Sequence, residues 1–215
     1  MPYRSSKVGL LLLAAGSASR MGEEKLLMRF GGKTPIAHCA AAFAGCDTQF
    51  AAVVVTVSPS TREEAASAFP SALLVSGGES RTASVRNGLA ALAGVDVVVI
   101  HDAARCLVPK VVIDASVHSA RAYGSGVAAI SARDTVRLCG RVIQREDVLL
   151  AQTPQSFDFA RIKEAYARGF AATDDAAHYA MAGYDVCFSL GAIQNQKLTM
   201  PEDIPFFSAF LGERT

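Results

Sequence analysis

Short apolar runs rich in β-branched residues recur along this chain, separated by segments of helical period. No other feature narrows the possible folds as far. The runs fall at residues 8–14, 51–57, 72–75, 95–100, 127–130 and 185–190. In the first intervening segment, Thr34-Pro35 offers a cap and a proline for the first helical position. Ile36, Ala40 and Phe43 then share a face, and Gly45 marks the stop. In a later segment Val85, Leu89 and Leu92 share a face, and Gly94 ends the run. Strands alternating with helices predict an α/β fold: a Rossmann-like, mostly parallel sheet with helices on both faces. Ligands of such open sheets bind beyond the carboxyl ends of the strands, so the loops after the strands are where chemistry is expected.

One stretch breaks the alternation. Asp134-Thr135-Val136-Arg137-Leu138, the turn Cys139-Gly140, and Arg141-Val142-Ile143-Gln144 read as a short β-hairpin inserted at about 134–145. It either lies on its own domain or reaches to a second subunit. No low-complexity linker, repeat or charge block divides the chain, so residues 1–215 are expected to form a single domain.

The N-terminus has two readings. Arg4 and Lys7 precede the apolar residues 8–16, and Ser17-Ala18-Ser19 follow, an order that resembles a secretory signal. The same residues also read as a buried first strand feeding a glycine-containing loop. The strand reading is preferred, because without it the strand–helix repeat would begin incomplete. No apolar stretch reaches the ~18 residues that a bilayer span requires. The five cysteines show no CxxC or zinc-like spacing, which points to reduced thiols and a cytoplasmic protein.

Composition bounds the partners. Apolar residues make up 51% and charged ones 19%, which excludes disorder. The 21 Lys+Arg nearly cancel the 20 Asp+Glu, leaving +1, which argues against a broad basic face for nucleic acid. A small cationic pocket remains compatible with that balance.

Three loops carry candidate chemistry. After the first run comes Ala14-Ala15-Gly16-Ser17-Ala18-Ser19-Arg20-Met21-Gly22-Glu23-Glu24-Lys25. Small residues let backbone N–H groups approach an anion, and Arg20 and Lys25 add positive charge, so a phosphate-bearing ligand is the natural reading. The loop is neither a Walker P-loop nor a GxGxxG fingerprint; a solvated turn is the plainer alternative. The second loop, Ser76-Gly77-Gly78-Glu79-Ser80-Arg81-Thr82-Ala83-Ser84, opens a helix. Glu79 or Ser84 could contact a base or ribose there, although Ser80 as an ordinary cap would explain the segment alone. The third loop is His101-Asp102-Ala103-Ala104-Arg105. Asp102 could accept from a hydroxyl and Arg105 could grip a phosphate by two prongs, or the two could simply pair to shape the loop. His101 is expected to pack or bond to backbone.

Together these loops resemble the 2-C-methyl-D-erythritol 4-phosphate cytidylyltransferase family of the non-mevalonate isoprenoid pathway. Further marks are Asp134-Thr135, Arg145, Gln152-Thr153-Pro154-Gln155, Thr173-Asp174-Asp175-Ala176 and Asn195-Gln196-Lys197-Leu198-Thr199. The resemblance runs from about Val8 to Leu211. It implies a nucleotidyltransferase fold and transfer of a cytidylyl group from CTP to the polyol phosphate. By the same resemblance Arg20, Lys25 and Arg145 are catalytic. The nucleotide falls to Ala14, Ala15, Gly16, Arg20, Lys25, Gly78, Glu79, Ser84 and Ala103. The polyol phosphate falls to Asp102, Arg105, Thr135, Arg145, Thr153 and Lys197. Mg2+ or another divalent cation would be held mainly by the CTP phosphates, with no dedicated protein ligands.

The family implies a homodimer joined through the hairpin arm, which is shorter here than the family's and leaves arm exchange open. Leu13, Ala18 and Cys106 stand where the family has proline, glycine and proline, and Glu24 replaces the proline before Lys25. A ribitol-5-phosphate cytidylyltransferase shares the CTP loops, although the region from Thr173 to Thr199 favours the erythritol enzyme. A non-catalytic nucleotide-binding homologue is the reading of another class.

Overall fold

The structure, a computed structural model, describes residues 6–16 and 24–212. Arg20, Met21 and Gly22 lie outside the described residues. The strands are β1 (Val8–Ala14), β2 (Phe50–Val57), β3 (Leu73–Ser76), β4 (Val97–Asp102), β5 (Ser125–Ser131), β6 (Val136–Leu138), β7 (Arg141–Ile143), β8 (Leu149–Asp158) and β9 (Phe188–Leu190). The helices are α1 (Pro35–Ala44), α2 (Arg62–Ala68), α3 (Arg81–Ala91), α4 (Lys110–Tyr123), α5 (Phe159–Ala167), α6 (Asp175–Met181) and α7 (Ile204–Phe210).

Seven strands form one sheet in the order β3-β2-β1-β4-β8-β5-β9. All run parallel except β8, which is antiparallel to both β4 and β5. Successive side chains of a strand point to opposite faces, so alternate residues feed two cores. Leu10, Leu12, Val97 and Val99 pack with Ile36 and Phe43 of α1, Ile113 and Val117 of α4 and Phe207 of α7. On the other face Leu11, Val98 and Ile100 pack with Val85 and Leu89 of α3, Ile162 of α5 and Tyr179 of α6. That is why β1 and β4 read as unbroken apolar runs: both faces are covered.

Local signals set the element ends. Thr34 caps α1 by accepting from the Ala37 N–H at 3.1 Å, and Pro35 occupies the first turn. Gly124 closes α4 in the left-handed conformation. The expected hairpin is present as β6–β7, a separate two-stranded sheet. Its turn residues Cys139 and Gly140 both have positive φ, 47° and 83°, as a tight two-residue hairpin turn requires.

The strand β8 is a correction to the sequence reading, which assigned none between the hairpin and residue 185. Its centre, Gln152-Thr153-Pro154-Gln155-Ser156, is polar and contains proline, both of which argue against a central strand. Pro154 is accommodated because it sits at a break: pairing with β4 ends at Gln155, and the register with β5 shifts between Val127 and Ala129. The five cysteines are unpaired. Among the described residues no helix is long and apolar enough to cross a membrane.

Candidate active site

The chain leaves β1 for β2 and β3 on one side, then returns to β4 on the other. The carboxyl ends of β1 and β4 therefore flank a topological switch point. A crevice of about 510 Å³ opens there, lined on one side by Ala15, Gly16 and Lys25 and on the other by Asp102, Ala104 and Lys197. Gly78, Glu79, Ser80, Arg81 and Ser84 close its third side.

Small residues make this closure possible. A Cβ at Gly77 would lie 2.1 Å from Ala15 Cβ, and one at Gly78 would lie 2.4 Å from Ala83 Cβ. Glycine is needed at Gly77 for the loops after β1 and β3 to meet, and at Gly78 for the loop after β3 to fold against the first turn of α3. The Gly78 N–H donates to Ser84 Oγ at 3.0 Å, and that hydroxyl donates to the Ser80 carbonyl at 3.0 Å. Ser80 caps α3 by accepting from Ala83 N–H at 3.1 Å. Lys25 sits on a turn closed by the Leu27 N–H and Glu24 carbonyl at 2.9 Å, with Leu26 buried beneath it. Glu24 does not line the crevice; its carboxylate accepts from Ser60 Oγ at 3.0 Å.

Asp102 is the electrostatic centre. Its Oδ1 lies 3.1 Å from Arg81 Nε and its Oδ2 lies 2.7 Å from Lys197 Nζ. Burial alone would raise its pKa, but the two cations hold the carboxyl well below the usual carboxylate range. Arg81 also grips Asp175 with both terminal nitrogens, Nη1–Oδ1 at 2.9 Å and Nη2–Oδ2 at 2.7 Å. The Tyr166 hydroxyl donates to the same Asp175 Oδ1. Burial opposes the charge on Arg81, yet Asp175 and Asp102 raise its pKa overall.

Beneath Asp102, His101 is fully buried, and burial lowers its pKa to about 4. Neutral imidazole fits its partners. Nε2 bonds the Arg105 carbonyl at 3.2 Å and Nδ1 faces Thr153 Oγ1 at 3.1 Å, which in turn accepts the Asp102 N–H at 3.1 Å. Lys197 is aimed by a buried amide clamp. Gln152 bonds both backbone groups of Ala192, and Asn195 Nδ2 donates to Gln152 Oε1 at 3.1 Å and to the Thr153 carbonyl at 2.8 Å. Just after Lys197, the Leu198 N–H donates to the Ala104 carbonyl at 2.8 Å.

Of the residues expected from sequence, Ala15, Gly16, Lys25, Gly78, Glu79, Ser84, Asp102 and Lys197 line the crevice together. Ala14, Ala103 and Thr153 lie buried behind its wall. The Ala14 carbonyl accepts from Thr61 Oγ1 at 2.8 Å, and the Ala103 N–H donates to the Leu13 carbonyl at 3.0 Å. Arg105 does not line the crevice; its Nη1 donates to the Asn195 carbonyl at 2.7 Å, and burial lowers its pKa. Thr135 and Arg145 are exposed on the hairpin arm and do not line the crevice. Arg20 lies outside the described residues. Sequence reasoning gave no role to Arg81, Asp175, Tyr166, Gln152 or Asn195. All but Tyr166 stood in motifs named above, but the pairings that give them a role join distant segments, Arg81 and Asp175 lying 94 residues apart.

A switch-point crevice with cationic side chains and small-residue loops at its mouth suits an α/β protein that binds phosphate-bearing ligands. The family model for 2-C-methyl-D-erythritol 4-phosphate cytidylyltransferase, IspD, matches residues 8–213. A relative described by that name from Pelotomaculum thermopropionicum is 36% identical, covering 97% of this chain and 95% of its own. Another from Geobacillus kaustophilus is 35% identical, covering 95% and 96%. The crystal structure of the Thermus thermophilus cytidylyltransferase superposes with a TM-score of 0.79 at 32% identity, covering 95% of this chain and 98% of that one. The chain belongs to the 2-C-methyl-D-erythritol 4-phosphate cytidylyltransferase family.

Proposed function

We propose that this chain joins CTP to 2-C-methyl-D-erythritol 4-phosphate, giving 4-diphosphocytidyl-2-C-methyl-D-erythritol and pyrophosphate. The observation that carries the reading is the crevice itself, in which Lys25 and the Ala15-Gly16 turn face Asp102 and Lys197. One side suits a triphosphate and the other a hydroxylated phosphate ester.

An oxygen of the polyol phosphate attacks the α-phosphorus, the bond from that phosphorus to the bridging oxygen breaks, and pyrophosphate leaves with the electron pair. A phosphate monoester has a second pKa of about 6, so the nucleophile is largely dianionic at neutral pH and needs no general base. The buried, neutral His101 fits that economy. Catalysis is positioning plus cationic stabilisation of spreading charge. Lys25 and Arg20 act at the α-phosphate, Arg20 by its place in the motif. The nucleotide is held by Ala15, Gly16, Gly78, Glu79 and Ser84, with Ala14 and Ala103 shaping the wall behind them. Asp102 accepts from the polyol hydroxyls and Lys197 supplies positive charge at the second phosphate, with Arg105 adding its charge from behind the crevice wall. Thr153 acts from behind by fixing the Asp102 N–H.

A divalent cation such as Mg2+ would neutralise charge on the triphosphate. Both oxygens of Asp102 are already ion-paired, and among the described residues no three His, Cys, Asp or Glu cluster for a metal. That chemistry fits an ion carried by the phosphates and its own waters rather than a protein cage. The reading further includes a single cytoplasmic domain that forms a homodimer through the arm, bringing Thr135 and Arg145 to a substrate site. Exposed Leu138 and Val142 on that arm suit such a contact. The test is pyrophosphate release from CTP with either polyol phosphate. Release with the erythritol ester well above that with ribitol 5-phosphate is expected; the reverse, or tight CTP binding without release, would defeat the reading.

A further inference from the structure

Asp175 has no exposure at all, and its carboxylate is met by the full fork of one guanidinium, that of Arg81. A buried carboxylate without a cation is strongly unfavourable, so this pair is constrained to stay made. Arg81 has five N–H donors. Two are spent on Asp175, and the Nε proton goes to Asp102. The Tyr166 hydroxyl, from α5, is a further donor that fixes Asp175 in place. The next residue is fixed too: the Ala176 N–H donates to Gln155 Oε1 at 2.9 Å.

Released from Asp175, the guanidinium could turn its fork onto Asp102 and crowd Oδ2, which Lys197 already holds, as well as Oδ1. Held by Asp175, it reaches Asp102 Oδ1 through Nε alone while Lys197 takes Oδ2, so each carboxylate oxygen carries one cationic donor and keeps a lone pair for a ligand hydroxyl. Arg81 also directly follows Gly78-Glu79-Ser80 on the nucleotide side of the crevice.

We infer that Asp175 is a positioning residue: it acts through Arg81 to hold Asp102 open for the hydroxyls of the phosphate-ester substrate. This rests on the proposed cytidylyltransferase reading. Neither Asp175 nor Tyr166 lines the crevice, so any effect they have on substrate use is transmitted.

The experiment is a steady-state comparison of wild type, Asp175→Asn, Tyr166→Phe, Arg81→Gln and the Asp175→Asn/Arg81→Gln double variant. Folding is checked by circular dichroism and thermal melting. Wild-type turnover of CTP with 2-C-methyl-D-erythritol 4-phosphate secures the parent reading; its absence defeats that reading separately. Given turnover, Asp175→Asn should raise KM for the polyol phosphate about tenfold while KM for CTP stays within about twofold. Tyr166→Phe should move the same constant about threefold. The double variant should be no worse than Arg81→Gln alone, because Asp175 acts only through that arginine. Equal losses on both substrates, additive effects in the double variant, or wild-type constants would overturn the inference. Should Asp175→Asn fail to fold, Tyr166→Phe decides: a selective rise supports the inference, and no rise overturns it.

Discussion

Two ion pairs of this molecule, one in the crevice and one on the arm, differ in nearly every physical respect. The carboxylate of Asp102 is 10% exposed and sits between Arg81 and Lys197, while Arg145 and Glu146 are 61% and 67% exposed. The first pair belongs to a network that runs from Lys197 through Asp102 and Arg81 to the buried Asp175. Removing one partner there strands a charge away from water. The second pair joins sequence neighbours in solvent, where such contacts contribute little and are screened by salt. The fold thus prepares the Asp102 side of the site by itself. Among the described residues Arg145 pairs only with an exposed sequence neighbour, and in the proposed reading it acquires its geometry from a second copy of the chain and the substrate.

The largest effect that would break this contrast lies at Lys25. Lys25→Ala should lower kcat by about two orders of magnitude or more, as loss of a preorganised charge donor does. Near-normal kcat would remove Lys25 from the chemistry. Next comes Asp102→Asn, which should cut kcat/KM for the polyol phosphate about 10- to 100-fold, the scale of a lost charged hydrogen bond. The corresponding change for CTP should be several-fold smaller; equal losses would count against a polyol role.

Acid provides a probe of the buried side. His101 has a folded pKa of about 4 against an ordinary value of about 6.5, so within that window the unfolded chain binds more protons. Its contribution to stability is present above about pH 6.5 and is lost as pH falls toward 4. Urea midpoints should decline over that range, and the His101 ring signals should stay those of neutral imidazole down to about pH 5. Titration of the ring near 6.5 would show that it is not sealed. The smallest effect is expected on the arm: Arg145→Ala should change unfolding free energy by less than about 0.5 kcal/mol. A larger loss in the isolated monomer would mean that the arm is structurally anchored after all.

Much of the architecture was legible because the sheet is parallel and covered on both faces. Burial on both sides makes β1 and the first four residues of β4 continuous apolar runs. Strand β8 was not legible for the converse reason. Gln152, Thr153 and Gln155 are buried polar residues whose partners come from Ala192, Asn195, Asp174 and Ala176. A sequence shows such side chains as loop-like until those partners are known. The site divides in the same way. Lys25 stands in the segment that follows β1 and Asp102 at the carboxyl end of β4, where chemistry is expected. The Arg81 contacts with Asp102 and Asp175 span 21 and 94 residues, and no local pattern announces them. Resemblance brought Thr153 into the substrate set, and the hydrogen bonds add that its hydroxyl is committed to Asp102 and His101.

The most direct test follows the phosphorus atoms. CTP, 2-C-methyl-D-erythritol 4-phosphate and Mg2+ are mixed with the protein and watched by phosphorus NMR. The account predicts that the monoester signal is consumed one for one with CTP, a coupled pair of diphosphate resonances appears, and pyrophosphate accumulates in equal amount. Unchanged monoester, with or without hydrolysis of CTP to CMP, would contradict it.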